Sequence, residues 1–206
     1  MRLFLLVLLA TGAVAQAPFT NSLFTPPHGW SFQRYCDNVL TPKSNSQLDN
    51  LFAAASSAPV TIPDGCAVGC ILPGHGTAPR TSTSLQGWAW QGKCFGPPLP
   101  NGTMQNIGSM TFRRVTANIK GRYAIAPSRL GGGDSLHIEY APHAGDGWPA
   151  TAPAVRQSNS GARDISDFKD EAREIEPGLW LGYTLVVNSS SLVVALRFAF
   201  AHVGPG

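Results

Sequence analysis

His137 and Glu139 stand two residues apart in the run Ser135-Leu136-His137-Ile138-Glu139-Tyr140-Ala141. On a strand, where side chains alternate, they share a face opposite Leu136, Ile138 and Tyr140. An imidazole beside a carboxylate titrates near neutrality and can carry a proton as general acid or base. The same alternation turns the apolar parity towards a core, so a solvated polar face is the structural alternative. Asp170, Glu171 and Arg173 form a second group, in which two carboxylates beside a guanidinium could bind a metal or work as an acid and base pair. Adjacent residues do not point together on a helix or a strand, so a structural ion pair with Arg163 or Arg173 is the competing assignment.

Other catalytic patterns are missing from the sequence. There is no Gly-x-Ser-x-Gly and no His-Glu-x-x-His, and Gly131-Gly132-Gly133 lacks the lysine and following helix of a phosphate loop, so it reads as a hairpin turn before Asp134. His28, His75, His143 and His202 fall in loops or at the C-terminus and form no recognisable pair. Cys66 and Cys70 are spaced like metal ligands, but no second Cys or His pair at zinc spacing accompanies them. Neither a metal nor a cofactor is expected. The aromatic residues Trp88, Trp90, Phe112, Tyr123, Tyr140, Trp180 and Phe198 either pack as core or line a cavity for a small apolar ligand.

These residues need a scaffold, and from Leu85 onward the chain reads as short alternating runs separated by turn signals, as in an antiparallel meander. Candidate strands are 85–95, 109–118, 121–126, 135–141, 179–187 and 192–201. Leu192, Val194, Leu196, Phe198 and Phe200 share one parity, and Leu179, Leu181, Tyr183, Leu185 and Val187 repeat the device one strand earlier, joined through a turn at 188–191. A sheet with one apolar face has to pack on another layer or close on itself, and closure also removes its edges. Leu48, Leu51, Phe52 and Ala55 after Ser46 predict a short amphipathic helix, residues 60–83 with their prolines and glycines predict a disulfide-stapled loop, and Pro142–Gly161 predicts a long loop. Ile165, Phe168, Ala172 and Ile175 behind Asp164 predict a second helix ended by Pro177-Gly178; a strand with an irregular edge is the other option. The expected class is a mainly β, antiparallel up-and-down barrel over 85–206. Before it, 16–84 hold the N-terminal helix and the cysteine-containing loop.

Residues 1–15 read as a secretory signal peptide, with Arg2, an apolar run from Leu3 to Ala10, and Ala13-Val14-Ala15 as the cleavage site. That run is too short to span a bilayer, as is the stretch from Leu192 to Ala201 with its Arg197, so no membrane span is expected. Cys36, Cys66, Cys70 and Cys94 make an even count in an exported chain, which predicts two disulfides and leaves no thiol nucleophile. An extended backbone holds Cys66 and Cys70 about 13 Å apart, beyond the reach of a bridge, so each should pair with a distant partner, and the connectivity stays open. Asn101 and Asn188 head glycosylation triplets. With 206 residues, 43% hydrophobic, 13% charged and a formal net charge of +3, the chain is a folding sequence without the basic stripe of a nucleic-acid binder.

The motifs Trp90-Gln91-Gly92-Lys93-Cys94-Phe95 and Asp170-Glu171-Ala172-Arg173, the latter followed by Pro177-Gly178-Leu179-Trp180-Leu181-Gly182, resemble those of a little-characterised group of small lipocalin-like proteins. The resemblance covers about residues 60–201. It implies an up-and-down barrel of the lipocalin kind that holds one apolar molecule, and it carries no reaction with it. True lipocalins place Gly-x-Trp on the first strand, whereas here Gly87 is followed directly by Trp88, with Trp90 as the second tryptophan. By the same likeness Arg197 is the candidate to lie against that tryptophan, the alternative being an outward, solvated Arg197. The expected function is a secreted lipocalin-like barrel binding a small hydrophobic ligand. The rival is a barrel enzyme of isomerase or lyase type, with an inward His137, Glu139, Asp170 or Glu171 as acid or base.

Overall fold

The computed structural model describes residues 19–72, 90–96, 102–107, 120–140, 168–188 and 191–203. Strand β1 (Phe19–Thr20) pairs in parallel with β2 (Ile62–Pro63). Between them lie helix α1 (Phe32–Tyr35), a π-helical turn at Cys36–Leu40 and helix α2 (Asn45–Ala54). Eight further strands follow: β3 (Gly65–Leu72), β4 (Gly92–Phe95), β5 (Gly102–Ile107), β6 (Lys120–Pro127), β7 (Asp134–Tyr140), β8 (Phe168–Glu176), β9 (Leu179–Asn188) and β10 (Ser191–Ala201). Each pairs antiparallel with its neighbours in sequence, and β10 also pairs with β3, which closes the sheet into a barrel. The chain is mainly β, as its alternating runs require. No described helix is long and apolar enough to cross a membrane.

Helix α2 begins where the chemistry of its cap dictates. Ser44 Oγ accepts from Gln47 N at 3.2 Å, and Gln47 Oε1 accepts from Ser44 N at 2.8 Å, a reciprocal box that satisfies two otherwise orphaned donors. Leu48 and Phe52 are its buried residues. They join Phe24, Phe32, Tyr35 and Leu40 in a cluster with Leu179, Leu181, Tyr183, Leu185, Ala199 and Ala201. The barrel thus has two apolar clusters. One lies in its interior, with Trp180, Phe198, Phe200, Phe95, Leu136 and Ile138; the other lies outside, under the N-terminal helical layer.

That division corrects the expectation for β9. Its stripe from Leu179 to Leu185 is not a lining but the outer surface on which the helices pack; Trp180, Gly182, Thr184 and Val186 face inward. A strand covered on both sides has apolar residues on both parities, so alternation no longer says which side is in. In β10 a bulge between Val194 and Leu196 breaks the expected stripe. Leu196, Phe198 and Phe200 line the interior, Val194 packs against the outer cluster, and Leu192 is exposed.

Two other expectations are overturned. The segment around Cys66 and Cys70 is not a loop: Gly65–Leu72 is a barrel strand between β10 and β4. Its glycines make room instead of breaking the element, since a Cβ on Gly69 would lie 2.4 Å from the Trp90 ring. Nor is the region up to Ile175 helical where it is described: Phe168–Glu176 is strand β8, the other option the sequence offered, with an irregularity between Glu174 and Glu176. Its three- and four-residue apolar spacing arises from Phe168 and Ala172 facing inward while Ile175 joins the outer cluster. Strand Gly102–Ile107 had no expected counterpart, and candidate strand 109–118, the loop 142–161 and residues 1–15 lie outside the described residues.

The cysteines pair Cys36 with Cys70 and Cys66 with Cys94. The first bridge ties the helical layer to β3, and the second joins directly opposed residues of β3 and β4. Two bridges and no free thiol among the described residues fit a chain that matures under oxidising conditions.

Gly182 carries a testable packing constraint. A Cβ there would sit 2.3 Å from the Phe198 ring, which is held by Trp90 at 5.4 Å and Phe200 at 6.1 Å between centroids. With the ring packed against both neighbours, Gly182→Ala should destabilise by about 1–3 kcal/mol. A urea midpoint equal to that of the parent protein would show that the interior is looser than this.

Candidate functional site

Inside the barrel the apolar lining is interrupted by a polar group. Lys93 on β4 and Asp170 on β8 face each other across the interior, from strands four places apart in either direction round the ring of eight. Lys93 Nζ lies 3.0 Å from Asp170 Oδ2 and 2.9 Å from the Tyr140 hydroxyl. Tyr140 also donates to Asp170 Oδ2, and Thr184 Oγ1 donates to Oδ1 at 2.7 Å. Lys93 and Asp170 are each 1% exposed. Three rings surround the ammonium, Trp90, Tyr140 and Phe198, with centroids 5.4, 5.2 and 5.1 Å away, within cation–π range.

Register explains how these groups meet. Asp170 pairs with Thr184 on one side and Ile138 on the other, so all three share the inner face, and Tyr140 is next but one to Ile138 on the same face. Lys93 shares its parity with Phe95. Burial lowers the pKa of the Lys93 amine, while the adjacent Asp170 carboxylate opposes that shift through its charge and hydrogen bond. The arrangement provides an amine, a carboxylate and a phenol in mutual hydrogen-bond contact, shielded from water, with aromatic faces around them.

At the other level of the interior, Trp180 and Phe200 stack at 5.4 Å. Trp180 Nε1 donates to Thr61 O at 3.3 Å, and Ile62 completes that cluster. Tyr123 donates its hydroxyl to Gly96 O at 2.8 Å and packs on Phe95. Of the expected lining residues, Trp90, Tyr123, Tyr140, Trp180 and Phe198 belong to this inner cluster, whereas Trp88 and Phe112 lie outside the described residues.

The other expected acid and base residues sit on the outer face. Glu171 is fully buried beneath the turn between β6 and β7, where it accepts from Ser128 Oγ at 2.7 Å, Ser135 Oγ at 3.2 Å, Arg129 N at 3.1 Å and Arg129 Nη1 at 3.2 Å. Its lone pairs are committed to holding that turn. Glu139 is exposed, pairing with Arg129 at 3.6 Å and Lys169 at 3.4 Å. Arg173 is buried too, donating to Phe52 O, Asp134 O, Gly131 O and Gly133 O while its guanidinium lies 4.4 Å over the Phe52 ring. It fastens α2 to the barrel. Asp170 therefore parts from Glu171 and Arg173 by strand parity, and the three do not form one site.

His137, cross-strand from Glu171, has Nδ1 at 2.9 Å from Arg129 Nη1. A guanidinium can only donate, so Nδ1 accepts and the ring is neutral. Burial holds the imidazole below its ordinary pKa; Glu171 pulls the other way and Arg129 adds to the depression. The unfolded chain then takes up the proton first. Stability from the neutral ring is complete above the unfolded value of about 6.5 and is lost as pH falls from there towards the folded pKa. His137→Gln should flatten that part of the stability profile; parallel profiles for the two proteins would rule the assignment out.

Arg197 takes a position that the sequence left open. It points outward yet is 6% exposed, its guanidinium 5.0 Å over the Tyr183 ring and bonded to Asn45 Oδ1 at 3.1 Å and Asp49 Oδ1 at 2.9 Å. It packs under α2, on a tyrosine and not on a tryptophan. Of the two triplet asparagines, Asn188 ends β9 and Asn101 lies outside the described residues.

Lys93 is the functional candidate that sequence reasoning passed over. It was visible only as one letter of Trp-x-Gly-Lys-x-Phe, and its signal was a lone charge at the parity of Phe95, in a strand short of polar residues. Among the described residues no group of three or more His, Cys, Asp or Glu side chains is placed to hold a metal. No protein-family model, curated protein or solved structure matches this chain, so the Lys93–Asp170–Tyr140 group is interpreted through its own chemistry.

Proposed function

We propose that this is an exported barrel of the lipocalin-like kind that holds one small, largely apolar molecule with a single polar oxygen. The observation that carries the proposal is Lys93, a buried ammonium ringed by Trp90, Tyr140 and Phe198 and anchored to Asp170 across the interior. Apolar rings bind hydrocarbon by removing its surface from water, at ~25 cal/mol per Å² before the costs of ordering. A desolvated ammonium supplies the positive charge that draws an oxygen atom at the ligand's end. In this reading residues 1–15 direct export and Asn101 and Asn188 carry glycans.

Tryptophan emission should report occupancy directly, because Trp90 and Trp180 belong to the inner cluster. Titration with cinnamyl alcohol, decanoic acid and retinol should give saturable quenching for at least one of them and a 1:1 complex in native mass spectrometry. No complex with any of the three would sink the ligand-holding reading.

The inward Asp170, bonded to the Tyr140 hydroxyl, favours a second reading: an acid/base enzyme of isomerase or lyase type. That version predicts exchange of solvent deuterium into the carbon next to a ketone in a bound substrate, lost in Asp170→Asn.

A further inference from the structure

We propose that Lys93 captures its ligand covalently, holding an apolar aldehyde as a protonated imine on Nζ whose charge stays paired with Asp170. The inference rests on the ligand-holding reading above and names the chemical class of the ligand.

Three features of the site converge on this chemistry. Imine formation needs a neutral amine; an amine 1% exposed has its charged form penalised by lost hydration, and the Asp170 carboxylate 3.0 Å away can take the proton. It also needs groups that take and return protons at the reacting nitrogen, and the Asp170 carboxylate at 3.0 Å and the Tyr140 hydroxyl at 2.9 Å are placed there. The product must resist hydrolysis, which a water-poor interior favours. The product is a cation as well, so it retains both the Asp170 ion pair and the surrounding ring faces.

The step balances within the site. The Lys93 ammonium gives a proton to Asp170, and the free amine pair attacks the aldehyde carbon. The carbonyl oxygen takes that proton through Asp170 or Tyr140, forming a carbinolamine. The nitrogen then releases a second proton to the same groups, which pass it to the hydroxyl; water leaves and the C=N bond forms. One aldehyde and one ammonium become one iminium and one water, and Asp170 returns to its carboxylate. No oxidant or reductant takes part.

An amine on the outer face differs in its access to water. Lys169 has a side chain 26% exposed, so an imine formed there is open to hydrolysis. The full chain would be incubated with trans-cinnamaldehyde near neutral pH, trapped with sodium cyanoborohydride and mapped by peptide mass spectrometry, with cinnamyl alcohol as a competitor that cannot form an imine. Lys93 should be labelled at least about tenfold faster than Lys43 or Lys169, because an aldehyde held against the amine reacts as if intramolecularly, and the alcohol should protect it. Alcohol binding with Lys93 unmodified would overturn the covalent inference and leave the ligand-holding reading intact. Neither binding nor labelling would remove both. Labelling of Lys93 that the alcohol does not suppress would also overturn it, because the aldehyde would then be reaching an opened chain.

Discussion

Lys93→Met is expected to cost about 3–5 kcal/mol of folding stability, and Asp170→Asn about the same, because each leaves a buried charge inside the barrel without its counter-ion. The two residues come from opposite sides of the ring, so neither loss can be mended by a neighbouring strand. After Lys93→Met the carboxylate keeps Tyr140 and Thr184 as donors and can protonate. After Asp170→Asn the amine keeps Tyr140 and can shed its proton. The double variant removes both charges and should recover much of the loss, giving a coupling of about 2 kcal/mol or more in a double-mutant cycle. Because the pair is shielded from solvent, raising the salt concentration should change the coupling little. Urea denaturation of the four proteins measures all of this. Single variants within about 1 kcal/mol of the parent would mean that the pair behaves like an exposed one, and the polar interior would then be no basis for a site.

How much of this was legible in the sequence depends on what covers each residue. Strand β7 could be read from Leu136, Ile138 and Tyr140 alternating with His137 and Glu139, since the inner parity is apolar and the outer one polar. Strand β8 could not, because Asp170 and Glu171 are buried on opposite faces, each satisfied by partners distant in sequence. Hydropathy treats both as surface. The turn Ser128–Gly133, which hides Glu171, and the across-barrel Lys93, which neutralises Asp170, are tertiary contacts that no local pattern encodes. The glycines of β3 misled for a related reason. Locally Gly65 and Gly69 look like breakers, whereas in the barrel Gly69 leaves space that Trp90 occupies. Helix α2 was easier, as its cap and its Leu48 and Phe52 lie within a few residues of one another. Lys93 stayed hidden because one buried lysine in an apolar strand has no spacing to betray it.

Removing the Cys36–Cys70 bridge should loosen the helical layer while the barrel persists. The bridge closes a separation of 34 residues, and chain-entropy arguments put such a crosslink at about 3–4 kcal/mol. Cys66–Cys94 closes 28 residues, and since loop length enters as a logarithm the two bridges should be worth nearly the same in a melt. What separates them is the surface each one guards. Cys36 and Cys70 belong to the outer cluster, where the helices cover Leu179, Leu181, Tyr183 and Leu185, whereas Cys66 and Cys94 join strands already paired by their backbones. A Cys36→Ala/Cys70→Ala variant should therefore bind an apolar dye well below its unfolding midpoint, and a Cys66→Ala/Cys94→Ala variant should not. Arg173 and Arg197 also hold that layer, through Phe52 O and Asp49, so the loosening should deepen when Arg197→Met is added to the first variant. A Cys36→Ala/Cys70→Ala variant that binds no more dye than the parent protein would mean that the helices stay seated without their bridge. The outer stripe of β9 would then be covered by packing alone, and the stabilisation assigned to the crosslink would belong to the unfolded chain.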